Sequence, residues 1–367
     1  MLNHTARSAR LKRAVAVGSV AAVALLGLAA CSSSGSGSGS NGKVGVSLIV
    51  KTTSNPYFVS MENAAKAAAK KDGVSLTLAA GKEDGDTDTQ AQAIENAISR
   101  GDKGILITPN GPAVNNEISK ARRAGLYVIA LDTAPSPANT VDITFATDNF
   151  AAGKAIGTWT AAKLDGKKAV IAMIDLNATQ NITVDYNRDT GFLTGMGIAV
   201  PDKNKNGSEA PTGNYTGGKG GQYQIAGHQP SLGAEDGGRT AMETILSKNP
   251  NVNVVYAINE PAAYGAYQAL KAAGKTSGVL LVAIDGGCSG VGYVKQGILG
   301  ATSQQYPSKM ATDGMAAIVK LAKTGKKATT SAGLDFHNTG SQLITDQAVP
   351  GLKSIDSQQG SQLCWGK

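Results

Sequence analysis

From residue 44 onward the chain alternates short apolar runs with stretches of helical spacing, and it does so in two successive halves. Runs at 44–50, 74–80, 104–108, 127–131 and 143–147 predict strands. Between the first two, Asn55 and Pro56 supply an N-cap and a proline at the first helical position. Phe58, Met61, Ala65 and Ala68 then fall at helical spacing before Gly73 ends the helix. Further helices are expected over 89–100 and 114–124. The rhythm restarts with strands at 169–176, 252–258 and 279–284 and helices at 183–197, 262–273 and 307–323. A polar, glycine-rich stretch at 201–221 reads as a surface insertion. Strand–helix alternation at this spacing demands parallel strands joined by right-handed crossovers. The expected fold class is therefore α/β, two Rossmann-like lobes with parallel sheets. The two halves divide near residue 148.

The segment ahead of these lobes is of another kind. Arg7, Arg10, Lys12 and Arg13 precede an uncharged run over 14–28 and then Leu28-Ala29-Ala30-Cys31. A basic start, a short apolar stretch and small residues before a cut site mark a secretory signal over 1–30 and not a membrane span. Leu28 to Cys31 resembles the bacterial lipobox, which implies lipidation of Cys31 and an extracytoplasmic protein anchored to the cell membrane. An ordinary signal peptide with a chance cysteine is the alternative. Residues 31–42, almost all serine and glycine, form a flexible tether. The formal charge of +8 includes four basic residues and no acids before Cys31, which leaves +4 and demands no nucleic-acid partner. With Cys31 reserved for lipid, Cys288 and Cys364 remain as an even pair in an oxidising compartment. A disulfide between them is expected; two free thiols are the alternative.

In facing α/β lobes, ligands sit beyond the carboxyl ends of the strands. The residues at those ends are Lys51 and Asn55, then Pro109 and Asn110, Asp132, Asp148 and Asn149, Asn259 and Glu260, Asp285, and Gln304 and Gln305. Tyr57 and Phe58 stand beside the first group. Carboxylates, amides and a cation or two, with aromatic faces, suit a polyol: each hydroxyl both donates and accepts, and the rings cover C–H faces. Any one of these Asp or Asn residues could instead cap the following helix. Lys51, Arg188 and Gln305 make poor caps, so capping does not account for the set.

Seven segments in order carry a resemblance over nearly everything from Val44 onward. They are Asn55 to Phe58, Ile129 to Asp132, Ala146 to Asn149, Asp185 to Phe192, Ala257 to Pro261, Ala283 to Gly286 and Ala301 to Pro307. The chain resembles the periplasmic sugar-binding proteins of the ribose/galactose type, and within them looks most like the fructose-type proteins. That resemblance implies the type I periplasmic binding protein fold, with 43–147 and 306–327 in the first lobe, 148–305 and 328–367 in the second, and a three-segment hinge near Asp148, between Asp285 and Gln305 and around 324–330. It implies a small sugar or polyol bound by lobe closure. It also implies an ABC permease as membrane partner, a monomer, no cofactor and no catalysis. Matched by position, the ligand contacts fall on Asn55, Phe58, Asp132, Arg188, Asn259, Asp285 and Gln305, with Lys51 from the fructose-like subgroup. Tyr57 and Asp148 join them from the strand-end pattern. Two departures bear on the ligand. Thr133 follows Asp132 where the ribose type often has arginine, and Ser231 to Gly233 stand where an aromatic wall is expected. Both remove bulk and favour a ketohexose such as fructose, or a sugar alcohol, over ribose.

Other signals are weaker. Asp202, Asn204 and Asn206 with Gly207 match half of a calcium loop, but position 12 is Gly213, where a glutamate is required. A plain surface loop is favoured there. Gly274 to Thr276 lacks the leading glycine of a phosphate loop, and Gly287 to Gly290 misses the nucleophile-elbow spacing. After the leader only His228 and His337 remain, neither beside a motif that would make it a base or a metal ligand. A sugar-sensing surface lipoprotein would use the same pocket, and a carbohydrate-active enzyme would need paired carboxylates such as Asp132 and Asp285.

Overall fold

The computed structural model describes residues 43–366; the leader, Cys31 and the tether lie outside the described residues. The first lobe runs β1 (Gly45–Val50), α1 (Pro56–Asp72), β2 (Ser75–Ala80), α2 (Thr87–Arg100), β3 (Gly104–Ile107), α3 (Asn115–Arg123), β4 (Tyr127–Leu131) and β5 (Ile143–Ala146). The second begins with α4 (Asn149–Leu164), β6 (Ala169–Asp175), α5 (Thr183–Met196), β7 (Thr212–Tyr215), β8 (Gly221–Pro230) and α6 (Glu235–Lys248). It continues through β9 (Val254–Ala257), α7 (Glu260–Ala272), β10 (Leu280–Asp285), α8 (Cys288–Lys295) and β11 (Ala301–Gln304). Helix α9 (Pro307–Thr324) returns to the first lobe, and β12 (His337–Asn338), β13 (Gln342–Ile344) and α10 (Ser357–Leu363) complete the chain.

The first sheet has six strands in the order β12-β5-β4-β3-β1-β2, all parallel. The second has seven, β13-β11-β10-β9-β6-β8-β7, parallel except for its two edge strands. Each sheet is covered on both faces, which is why its central strands read as unbroken apolar runs: Val128, Ile129 and Ala130 are fully buried, as are Val254 to Ala257. Met310 and Ile318 of α9 pack beside Phe58 and Met61 of α1 on one face of the first sheet.

Several expectations need adjusting. The insertion at 201–221 contains β7, which forms a hairpin with β8, and its Tyr215 is buried; the alternation is too short there to signal a strand. The third crossing lies between β12 and β13, not around 324–330. His337 and Asn338 pair with Phe145 and Ala146, and the His337 ring packs 4.7 Å from that of Phe145, so the chain as far as Asn338 belongs to the first sheet. A two-residue strand carries no periodicity to read. The disulfide between Cys288 and Cys364 forms, joining the start of α8 to the segment after α10.

The packing of α4 on α5 fixes the backbone from which the site is built. These helices touch main chain to main chain: a Cβ at Gly157 would stand 2.0 Å from the Phe192 carbonyl oxygen, and one at Gly153 2.2 Å from that of Arg188. Only glycine permits this approach. It seats Arg188 of α5 directly against α4.

Candidate functional site

Where the two sheets face each other, the carboxyl ends of the strands bring the polar residues together. Lys51 follows β1, Asp132 follows β4, Asp285 ends β10 and Gln305 follows β11. All four are nearly or wholly buried. Asn55 and Asn259 stand at the starts of α1 and α7, where each accepts from a helix N–H, Tyr57 at 2.9 Å and Ala262 at 3.0 Å. Both line the enclosed cleft as well, so capping and lining coexist. Tyr57 and Phe58, in the first turn of α1, close one side. Leu176, Val184 and Ile258 supply apolar surface from the second lobe.

Arg188 is the hub. Its Nε donates to Asn149 Oδ1 at 2.7 Å and its Nη1 to the Ile258 carbonyl at 3.0 Å. Its remaining reach ends 3.6 Å from the Asp132 carboxylate and 3.9 Å from that of Asp285. Asp132 also accepts from the Tyr57 hydroxyl at 2.9 Å and from Thr133 at 2.8 Å. Asp285 accepts from Gln305 at 2.9 Å. Lys51 faces Asp84 at 3.4 Å. One guanidinium thus serves two carboxylates from opposite lobes. Burying that many charges is costly unless each is paired.

Both acids sit on strained backbone. Asp132 has φ +63° and Asp285 φ +148°, in regions L-residues with side chains seldom adopt. The turn after Asp285 is held by Glu260, whose carboxylate accepts from Gly286 N at 2.8 Å, Gly287 N at 3.0 Å and the Thr302 hydroxyl at 2.8 Å. Burial pushes Asp285 up to about 7; Arg188 opposes the rise and Asp132 adds to it. Glu260 is pushed up to about 8, by burial first and then by the charge of Asp285.

The space inside the ring is about 30 Å³, room for about two waters. A ligand with several hydroxyls is larger than that space. Outside the ring lies a wider groove of about 300 Å³, which includes Pro56, Tyr264, Tyr293 and Trp365 in its walls. The Tyr264 and Tyr293 rings stack there at 4.7 Å.

Of the residues expected at the site, the structure brings together Lys51, Asn55, Tyr57, Phe58, Asp132, Arg188, Asn259, Asp285 and Gln305. Asp148 is a correction. Its carboxylate caps α4, accepting from Ala151 N at 2.9 Å, and it does not line the cleft. Its neighbour Asn149, from the same strand end, is the residue that holds Arg188. Asp84, Glu260 and Trp365 also shape the site. Glu260 stood at a strand end, but Asp84 and Trp365 meet it only through the fold. In the half calcium loop, Asp202 accepts from the Asn204 backbone at 2.9 Å, an ordinary turn contact.

Known proteins resemble this chain in sequence and in fold. Residues 46–327 match the family described as the periplasmic binding protein domain. The D-allose-binding periplasmic protein of Escherichia coli is 27% identical over 307 residues, covering 82% of this chain and 91% of that one. The ribose import binding protein of Haemophilus influenzae is 30% identical over 282 residues, covering 77% and 86%. Among solved structures, a periplasmic solute-binding protein of an ABC transporter from Actinobacillus succinogenes, with bound D-allose, superposes with a TM-score of 0.67. It is 23% identical and the match covers 87% of this chain and all of that one. The chain belongs to the periplasmic binding protein family.

Proposed function

We propose that this protein is the extracytoplasmic sugar-binding component of an ABC importer and that its ligand is a small sugar or polyol, with fructose or a sugar alcohol favoured. The observation that carries this reading is the position of Arg188 between Asp132 of one lobe and Asp285 of the other. Hydroxyls of a bound polyol would take the places these groups now give one another. Arg188 would donate to two oxygens, the two carboxylates would accept, and Asn55, Asn259, Gln305 and Lys51 would meet the rest. Tyr57 and Phe58 would cover C–H faces. Because both lobes would contact the ligand at once, binding would favour the closed state. The relatives named for allose and ribose support a monosaccharide. Thr133 and Ser231 to Gly233, which take up less space than the arginine and aromatic wall of the ribose type, support a ligand other than ribose.

A thermal-shift panel of fructose, ribose, allose, galactose, glucose, myo-inositol, xylitol, arabitol and sorbitol tests the reading. Ligand binding only to the folded state raises Tm by a few degrees at about 100 times Kd. A hit among fructose and the sugar alcohols is expected. A hit on ribose or allose alone would overturn the ligand preference, and silence across the panel would overturn the sugar reading.

The lipid anchor belongs to the same proposal. Leu28-Ala29-Ala30-Cys31 supports lipidation at Cys31. Cells carrying Cys31→Ser should release the protein from the membrane fraction; retention there would argue against the anchor.

A further inference from the structure

Outside the cleft ring, on another face of α5, the second lobe holds a group of side chains that sugar binding does not use. His228 of β8 lies between two carboxylates: Nδ1 is 2.8 Å from Asp175 Oδ2 and Nε2 is 2.8 Å from Glu209 Oε1. Asp189 of α5 approaches the same Nδ1 at 3.7 Å. Asp189 is wholly buried, and among the described residues neither of its carboxylate oxygens has a hydrogen-bond partner. Asp175 Oδ1 and Glu209 Oε2 are unpartnered as well. A buried carboxylate with nothing to pair it is costly, and one imidazole cannot satisfy three.

The geometry points to a divalent-metal site of the zinc class, in which Asp175, Asp189 and His228 Nδ1 are the ligands and Glu209 orients the imidazole through Nε2–H. The three ligand atoms all lie within 4.8 Å of one another. In a tetrahedral site with metal–ligand distances of about 2.0–2.1 Å, ligand atoms stand about 3.3 Å apart. The observed 2.8 Å and 3.7 Å from Nδ1 bracket that spacing, so small side-chain shifts complete it. A carboxylate on the second imidazole nitrogen is the usual partner of a metal-bound histidine. One imidazole with carboxylates suits zinc or manganese better than the all-oxygen set preferred by calcium. The ligands come from β6, α5 and β8, and Glu209 comes from the insertion at 201–221, so the metal would tie that insertion to the lobe. A surface pocket of about 480 Å³, walled in part by Asp185 and Asn206, opens over the insertion.

The test is zinc uptake by the purified full chain after dialysis against a chelator, measured by equilibrium dialysis with metal analysis. One zinc per chain is expected, with a rise in Tm on adding zinc alone. Asp189→Asn and His228→Gln should each weaken zinc binding by about tenfold or more, and Glu209→Gln by about tenfold, the usual effect of losing an orienting partner. Asp189→Asn is isosteric and removes one buried charge, so it carries the test should His228→Gln fail to fold. Absence of zinc uptake by the wild-type chain would overturn the proposal and leave His228 as a partly buried side chain hydrogen-bonded between two carboxylates. Wild-type zinc affinity in Asp189→Asn would equally overturn it, since the metal would then be held elsewhere.

Discussion

Arg188 and Asp132 face each other across the cleft at 3.6 Å, the guanidinium from one lobe and the carboxylate from the other. The contact is the arrangement expected where a ligand is to be shared between lobes. Arg188→Ala would leave Asp132 and Asp285 buried without their cation and remove the main donor to the ligand. A loss of about 3 kcal/mol in ligand binding, more than a hundredfold in Kd, is expected by titration calorimetry. Arg188→Lys should recover only part of it, because an ammonium cannot hold the Asn149 and Ile258 contacts and still fork toward the cleft.

Asp285 sets the pH response. An acid whose pKa is raised in the folded state binds more protons there than in the unfolded chain, where it titrates near about 3.9. Stability from that source is present below the unfolded value and lost as pH rises through about 7. Glu260, at about 8, acts in the same direction. The ligand-free protein should therefore melt higher at pH 5.5 than at pH 8. Ligand affinity should run the other way, because a hydroxyl that donates to Asp285 needs the ionised form. Affinity should fall by up to about tenfold per pH unit below 7, and Asp285→Asn should flatten that profile.

The disulfide holds Trp365 in place. The Cys288 N–H donates to the Trp365 carbonyl at 2.9 Å, the indole donates to the Gln305 carbonyl at 3.0 Å, and the ring meets Tyr57 edge-on at 5.2 Å. The bridge closes a loop of 76 residues, and removing a crosslink of that span costs about 2–4 kcal/mol. Cys288→Ser with Cys364→Ser should lower Tm and weaken ligand binding together. A fall in Tm with affinity unchanged would show that Trp365 keeps its place without the crosslink.

Gly157 tests the α4–α5 contact. Gly157→Ala forces a methyl into the Phe192 carbonyl, and the helices must separate. A loss of about 2–3 kcal/mol is expected in denaturant unfolding. Ligand affinity should fall as well, because Arg188 lies one turn from the contact.

The lobes were legible because their strands are buried on both faces and most of their helices are amphipathic or capped. Helix α4 is neither striped nor polar: its small and apolar residues are spread around the cylinder, with buried positions from Ala152 to Leu164 and glycine at 153 and 157. Such a helix gives no 3.6-residue signal. In the site, strand ends located the cleft residues, but they could not separate Asp148, whose carboxylate turns back on its own helix, from Asn149, whose amide reaches Arg188. The partnership of Lys51 with Asp84 spans 33 residues and leaves no local trace. His228 shows the same limit: its partners Asp175 and Asp189 come from β6 and α5, far from it in sequence.

The anchoring of Arg188 has a consequence for the order of events. Every group that fixes its position, from the Asn149 amide to the Ile258 carbonyl, travels with the second lobe, and Asp285, Asn259 and Gln305 travel with it. Were the lobes to part, that half would keep its donors and acceptors in register, whereas the opposite half would offer chiefly Asp132, Lys51, Asn55 and the rings of Tyr57 and Phe58. A solute arriving by diffusion would land on the half that is already assembled, and the other would swing over it as a cover.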